Sequence, residues 1–239
     1  MTYILLVAGR GSRLFPLTLK QPKSLYKLDG DTTVLQRMVR LIKKNDANAT
    51  IVIVTGFMHE TIEKEVEGVI FINNPFYGVT NSIASLWFAR DYMDADNVCI
   101  INGDIVMEEK LMEQIICKQV IRPEILYDSS IRSNGDYNVQ INNDTVLVMS
   151  KELDQYDGEY AGVTKLDRDS ALRLRSVVEN MVHEEMYDQW YENALVQMIF
   201  NYDFKLYYED ICNYKWTEVD CVSDMLLAKT IHLEEMQEK

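Results

Sequence analysis

Short apolar runs alternate with amphipathic stretches along the first hundred residues. This alternation constrains the fold more than any other feature of the chain. Residues 3–7 form a continuous apolar run, read as a buried strand. Within 33–44, Val34, Leu35, Met38, Leu41 and Ile42 recur at helical spacing. Residues 50–54 are β-branched and strand-like, 59–66 reads as helix, 69–72 as strand and 81–92 as helix. A fourth strand at 98–101 ends in Asn102-Gly103-Asp104. Such alternation builds βαβ units. It predicts an α/β fold with a Rossmann-like, mainly parallel sheet flanked by helices. Beyond about residue 123, strand-like pieces crowd together at 124–128, 137–141, 145–149 and 159–166. They predict a smaller antiparallel and helical lobe, with helices at about 168–187, 190–199 and 222–236. No linker composition separates the halves. The chain is therefore read as one domain, 1–239, with lobes at about 1–122 and 123–239.

Composition narrows the partners. The 239 residues are 47% hydrophobic and 26% charged, ordinary for a globular chain large enough to bury a core. Apolar runs are too short to span a bilayer, and the N-terminus lacks signal-peptide character, so a cytoplasmic location is expected. Cys99, Cys117, Cys212 and Cys221 form no C-x-x-C pair and read as incidental thiols. The net charge of −14 argues against nucleic acid or an anionic membrane as partner. Residues 1–28 break this trend: they hold no Asp or Glu, yet carry Arg10, Arg13, Lys20, Lys23 and Lys27. A basic island in an acidic chain suits an anionic ligand.

That island begins with the loop Ala8-Gly9-Arg10-Gly11-Ser12-Arg13-Leu14, directly after the first strand. Glycines there can take backbone angles closed to other residues and let main-chain N–H groups approach an anion. The planar guanidinium of Arg13 can grip phosphate oxygens. The dinucleotide fingerprint fails because Leu14 stands at its third glycine, and the P-loop pattern fails as well. Ligands of open α/β sheets bind beyond the carboxyl ends of the strands, which also singles out Gly103 and Asp104.

The loop continues as Arg13-Leu14-Phe15-Pro16-Leu17-Thr18 and then Gln21-Pro22-Lys23-Ser24-Leu25. This string resembles the signature of the sugar-phosphate nucleotidyltransferase superfamily, G-x-G-x-R-L-x-P-L-T followed by P-K-x-L. It departs at Val7 and Arg10, where relatives vary. The resemblance implies dependence on a divalent metal (Mg²⁺) and release of pyrophosphate. It also implies that Arg13 contacts the leaving phosphates and that Lys23 lies between the triphosphate and the acceptor phosphate. Two anions must meet in this reaction, so cations are required to offset their repulsion. No general base is needed, because a phosphate nucleophile is already ionised. The three histidines, His59, His183 and His232, fall in predicted helices and are read as surface residues.

Mg²⁺ prefers one or two carboxylates together with phosphate oxygens and water. Asp104 is one candidate, although N-G-D is also good turn chemistry. Asp220, in Trp216-Thr217-Glu218-Val219-Asp220, matches the late acidic segment that supplies the second ligand in relatives, with helix N-capping as its alternative.

Further segments resemble the choline-phosphate and aminoalkylphosphonate cytidylyltransferases. Residues 74–86 are similar to their N-P-F-Y-x-x-x-N-x-x-x-S-L stretch, and Asn81 and Ser82 would face a pyrimidine. Asp157-Gly158-Glu159-Tyr160-Ala161-Gly162 looks like their D-G-E-[FY]-x-G segment, and Trp190-Tyr191-Glu192-Asn193 like an aromatic-acidic cluster. The acceptor is therefore assigned to Glu159, Tyr160, Gly162, Trp190, Tyr191, Glu192 and Glu218. Aromatic faces with a carboxylate suit a cationic head group, while burial in the core is the commoner fate of aromatics. The leading expectation is a cytidylyltransferase acting on CTP and a small phosphorylated or phosphonate acceptor, with a homodimer left open. A hexose-1-phosphate nucleotidyltransferase using UTP, dTTP or GTP is the alternative, and a non-catalytic nucleotide-sensing subunit is the third.

Overall fold

The computed structural model describes residues 1–132 and 137–237. Among the described residues, nine strands form one sheet, in the order β3-β2-β1-β4-β9-β6-β10-β8-β7, and two short ones, β5 and β11, pair apart from it. Its first part is parallel: β1 (Thr2–Leu6) lies between β2 (Thr50–Thr55) and β4 (Asn97–Asn102), with β3 (Ile70–Asn73) at the edge. Parallel strands must be linked by crossovers. These are α1 (Val34–Asn45), α2 (His59–Glu65) and α3 (Ser82–Phe88). Thr33 starts α1 with a capping box: its hydroxyl accepts from the Gln36 N–H while the Gln36 side chain accepts from the Thr33 N–H.

After β4 the chain forms β5 (Ile105–Met107) and a helical segment, α4 (Glu109–Leu111), that continues as a π-helical turn (Met112–Ile116). The strands that follow extend the same sheet. They are β6 (Glu124–Asp128), β7 (Asn138–Asn142), β8 (Thr145–Ser150) and β9 (Gly158–Asp167). β9 joins the two parts, pairing antiparallel with both β4 and β6. Helices α5 (Arg168–His183) and α6 (Glu192–Tyr202) precede β10 (Tyr207–Asp210), β11 (Trp216–Glu218) and α7 (Val222–Gln237).

Alternating residues of the central strands enter different cores. Ile4, Val52, Val54 and Ile100 pack on one face with Ile83, Leu86, Leu174, Val178 and Leu195. Tyr3, Leu5, Ile53 and Ile101 pack on the other with Leu35, Met38, Ile42 and Ile62. Both faces are covered, which is why residues 3–7 read as unbroken apolar sequence. A smaller third cluster carries the consequence for function. Leu14 and Leu28 of the N-terminal segment pack with Val106, Val219, Ala228 and Ile231. This ties the glycine loop to β5 and α7.

Three expectations change here. The helix expected at 168–187 stops at His183, because Glu185 takes a left-handed conformation (φ 64°) and the Met186 N–H turns back to Met181 O. The short strands β5, β10 and β11 were missed, since three or four residues carry too little periodicity to register. His232, expected at the surface, is 1% exposed and contacts Asp29 Oδ2 at 2.6 Å. Among the described residues, no helix is long and apolar enough to cross a membrane.

Candidate active site

The glycine loop, the end of β4 and the start of α3 line one cleft beyond the carboxyl ends of β1 and β4. Ala8, Gly9, Arg10, Gly11, Ser12 and Arg13 all face it. The left-handed demand falls on Gly11 (φ 65°), which precedes a 3₁₀ turn, Ser12–Leu14. Buried Leu14 anchors that turn, and the Thr18 hydroxyl donates to Gly11 O at 3.1 Å. Arg10 instead reaches sideways over the rings of Phe57 and Tyr77, 5.4 and 5.7 Å from their centroids. Pro22 precedes Lys23 as the N-cap of a further 3₁₀ turn, Lys23–Leu25.

Opposite the loop, three carboxylates converge. Asp104 lies one residue beyond the end of β4, after Gly103, and β5 then pairs antiparallel with β11, setting Glu218 against Ile105. The Val219 N–H donates to Asp104 O at 3.0 Å, so Asp220 emerges beside Asp104 although 116 positions separate them in sequence. Suitable oxygens of Asp104, Glu218 and Asp220 lie within 4.8 Å of one another. Asp220 is not spent on capping α7. Asp224 accepts from the N–H groups of residues 220 and 221 instead, at 3.0 and 2.8 Å. Asp220 Oδ2 meets Arg13 Nη2 at 2.7 Å and Oδ1 meets Lys23 Nζ at 3.0 Å. Lys23 also contacts Asp104 Oδ2. Burial disfavours the Lys23 ammonium, but Asp104 and Asp220 outweigh that cost and hold its pKa above the ordinary value.

These groups fit a divalent cation. They offer hard oxygen donors, and Asp104 Oδ1 is buried without a hydrogen-bond partner. Gly103 is required for this geometry. A Cβ there would stand 2.6 Å from Leu6 O and from the Val7 side chain, so only glycine lets the turn close against the end of β1.

The far end of the cleft differs from expectation. Glu218 stands with Asp104 and Asp220 instead, while Trp190, Glu192 and Tyr160 line the cleft. Glu159, Gly162 and Tyr191 do not. Gly162 (φ 70°) lies in an irregularity of β9, where two residues of β6, Ile125 and Tyr127, oppose Thr164 and Tyr160. Its role is backbone geometry. Glu159 pairs within the sheet with Asp128 and Asn138. Tyr191 is fully buried and shares a hydroxyl network with Tyr160 and Thr164; Thr164 Oγ1 lies 2.8 Å from Tyr160 Oη and 3.0 Å from Tyr191 Oη. Tyr160 reaches the cleft but is 3% exposed, with its hydroxyl committed to that network. Burial raises both phenols well above their ordinary pKa. The core outcome thus prevails for Tyr191, and the cleft outcome for Trp190, which is 40% exposed.

Glu192 is the first residue of α6 and is 3% exposed. Burial pushes its carboxyl up to about 7, against the opposing pull of its own backbone N–H, the Asn102 side chain and Lys151. Its Oε2 has no partner. Asn81 and Ser82 both face the cleft, but Ser82 Oγ accepts from the Tyr191 N–H at 2.9 Å. Ile83 N–H donates to Gln189 O and Asn81 N–H to Tyr187 O. The start of α3 therefore holds the segment carrying Trp190. Lys151, Tyr137 and Asn102 also line the cleft and were missed. No motif marks Lys151 or Tyr137, and Asn102 belongs to the Asn102-Gly103-Asp104 string without being singled out there; β8, β7 and β4 bring the three together.

A profile of the MobA-like NTP transferase domain matches residues 3–125. The choline-phosphate cytidylyltransferase of Streptococcus pneumoniae is 24% identical over 231 residues, covering 94% of this chain and 95% of that protein. The 2-aminoethylphosphonate cytidylyltransferase of Lancefieldella rimae is 26% identical over 110 residues, 45% of this chain and 44% of that one. The solved structure of CTP:phosphocholine cytidylyltransferase from S. pneumoniae superposes with a TM-score of 0.77 at 22% identity, over 99% of this chain and 98% of that one. That likeness establishes the shared fold. With its family profile matched over just over half its length, the chain belongs to the MobA-like NTP transferase family and is a nucleotidyltransferase.

Proposed function

We propose that this protein transfers a cytidylyl group from CTP to a small phosphorylated alcohol or phosphonate, releasing pyrophosphate. The observation that carries this reading is the convergence of Arg13 and Lys23 with Asp104, Glu218 and Asp220 at the mouth of the glycine loop. The similar proteins from S. pneumoniae and L. rimae, both named cytidylyltransferases, favour the cytidylyl group.

An acceptor phosphate oxygen attacks the α-phosphorus in line. One P–O bond forms there while the bond to the bridging oxygen of the leaving pyrophosphate breaks. Lys23 offsets the repulsion between the two anions, and Arg13 takes up charge on the leaving group. Residues 8–13 hold the phosphates through main-chain groups, and Asn81 stands at the base end. Asp104, Asp220 and Glu218 would hold Mg²⁺, which supplies charge neutralisation at the reacting phosphates when bound. The first lobe, about 1–122, would serve the nucleotide, and the second the acceptor and one metal ligand.

Pyrophosphate release tests this across CTP, UTP, dTTP and GTP with phosphocholine, 2-aminoethylphosphonate, phosphoethanolamine and glucose-1-phosphate. CTP should be preferred, with no turnover of the sugar phosphate. Lys23→Ala should lower kcat by about 10²–10³. Full turnover by that variant would remove Lys23 from the chemistry, and preference for glucose-1-phosphate would select the sugar-nucleotide alternative.

A further inference from the structure

Tyr191 is fully buried, yet its two neighbours in sequence, Trp190 and Glu192, both line the far end of the cleft. The three lie together at the start of α6, so the placing of one short main-chain segment sets both lining side chains. What holds that segment comes from α3, on the other lobe. Ser82 Oγ accepts from the Tyr191 N–H at 2.9 Å, the Asn81 N–H donates to Tyr187 O at 3.0 Å, and the Ile83 N–H donates to Gln189 O at 3.2 Å. The platform is itself fixed. Asn74 is fully buried, and its Nδ2 donates to Thr80 Oγ1 at 3.2 Å and to Ser85 Oγ at 3.1 Å, on either side of Ser82.

Of the three ties, two run between main-chain groups and survive any side-chain substitution. The third is made by the Ser82 hydroxyl, and it reaches the residue that stands between Trp190 and Glu192. Removing that hydroxyl leaves the Tyr191 N–H as a buried donor without a partner, a costly state that the segment relieves by moving. Trp190 and Glu192 then move together, and an acceptor seated against them loses its fit. The start of α3 is held separately: Asn81 Oδ1 accepts from the Ser82 N–H at 2.8 Å, a bond that does not involve the hydroxyl. The nucleotide end of the cleft therefore keeps its shape when the hydroxyl is lost.

Resting on the nucleotidyl-transfer reading above, we propose that Ser82 is a positioning residue for the acceptor: its hydroxyl holds the Tyr191 main chain and so sets Trp190 and Glu192, rather than reading the pyrimidine. A residue of the nucleotide lobe thereby shapes the acceptor wall.

The test measures pyrophosphate release by the full chain from CTP with phosphocholine, phosphoethanolamine and 2-aminoethylphosphonate, varying each substrate in turn. Ser82→Ala should raise KM for the acceptor by about tenfold, the effect of one hydrogen bond to a buried group, while KM for CTP stays within about twofold. Ser82→Thr keeps the hydroxyl and should return the acceptor KM to within about twofold of wild type. A general loosening of the fold would move both KM values together, and Thr would not restore one of them selectively. A rise in KM for CTP equal to or larger than that for the acceptor, an acceptor KM unchanged in Ser82→Ala, or failure of Ser82→Thr to restore it overturns this proposal and leaves nucleotidyl transfer standing. Absence of pyrophosphate release by the wild type with every acceptor overturns both.

Discussion

Replacing Glu192 by Gln isolates the energetic cost of burying a carboxyl at the far end of the cleft. Glu192 is 3% exposed, and its pKa rises from the ordinary 4.5 to about 7, chiefly by burial. The shift corresponds to about 3 kcal/mol of preference for the protonated form in the folded state. The sign follows from proton binding. Below pH 4.5 the carboxyl is protonated in both folded and unfolded chains, so no penalty arises. Between 4.5 and about 7 the folded protein retains a proton that the unfolded chain releases, and stability falls as pH rises. Above about 7 the full penalty is present. Gln keeps the shape without the titration. Glu192→Gln should therefore match wild type near pH 4.5 and exceed it at pH 8.5 by about 3 kcal/mol. For a chain of this size that is a Tm difference of roughly 6–12 °C. Thermal unfolding of both proteins in parallel buffers from pH 4.5 to 8.5 measures it. A Tm difference constant across that range would show that Glu192 titrates like a surface carboxyl, and the reasoning would fail.

Two further perturbations separate the candidate metal site from the core. Mg²⁺ at a hundredfold excess over its Kd should stabilise the wild type by about 2.7 kcal/mol, and Asp104→Asn should abolish that rise in Tm as well as Mg²⁺-dependent turnover; an Asn variant that keeps the Mg²⁺-induced shift would take Asp104 out of the ligand set. Tyr191→Phe breaks a buried hydroxyl network and should cost about 1–2 kcal/mol in unfolding free energy while leaving acceptor KM within about twofold; a raised KM at unchanged Tm would return Tyr191 to the acceptor site.

The βαβ half was legible because its strands are buried on both faces and its helices on one. Burial writes those periods directly into residue order, from Tyr3–Leu5 on β1 to Leu35–Ile42 on α1. The glycine loop and Lys23 were legible for a related reason. The loop is built from neighbouring residues, so its glycines and cations appear as a contiguous string. Tyr191 and Gly162 show where this stops. Their motif was read as ligand contact, but the hydroxyl network turned one inward, and a bulge in β9 claimed the backbone of the other.

What sequence alone determined is thus the fold class and the place of the glycine loop, since both depend on local order. Tertiary structure alone decided which groups that loop faces. Pairing of β5 with β11 brings Glu218 and Asp220 to Asp104, across more than a hundred residues. The ends of β4, β7 and β8 bring Asn102, Tyr137 and Lys151 toward Glu192. These are contacts between distant segments, and no spacing along the chain records them. The charge and burial that set the behaviour of Lys23, Lys151 and Glu192 exist only once the sheet has assembled.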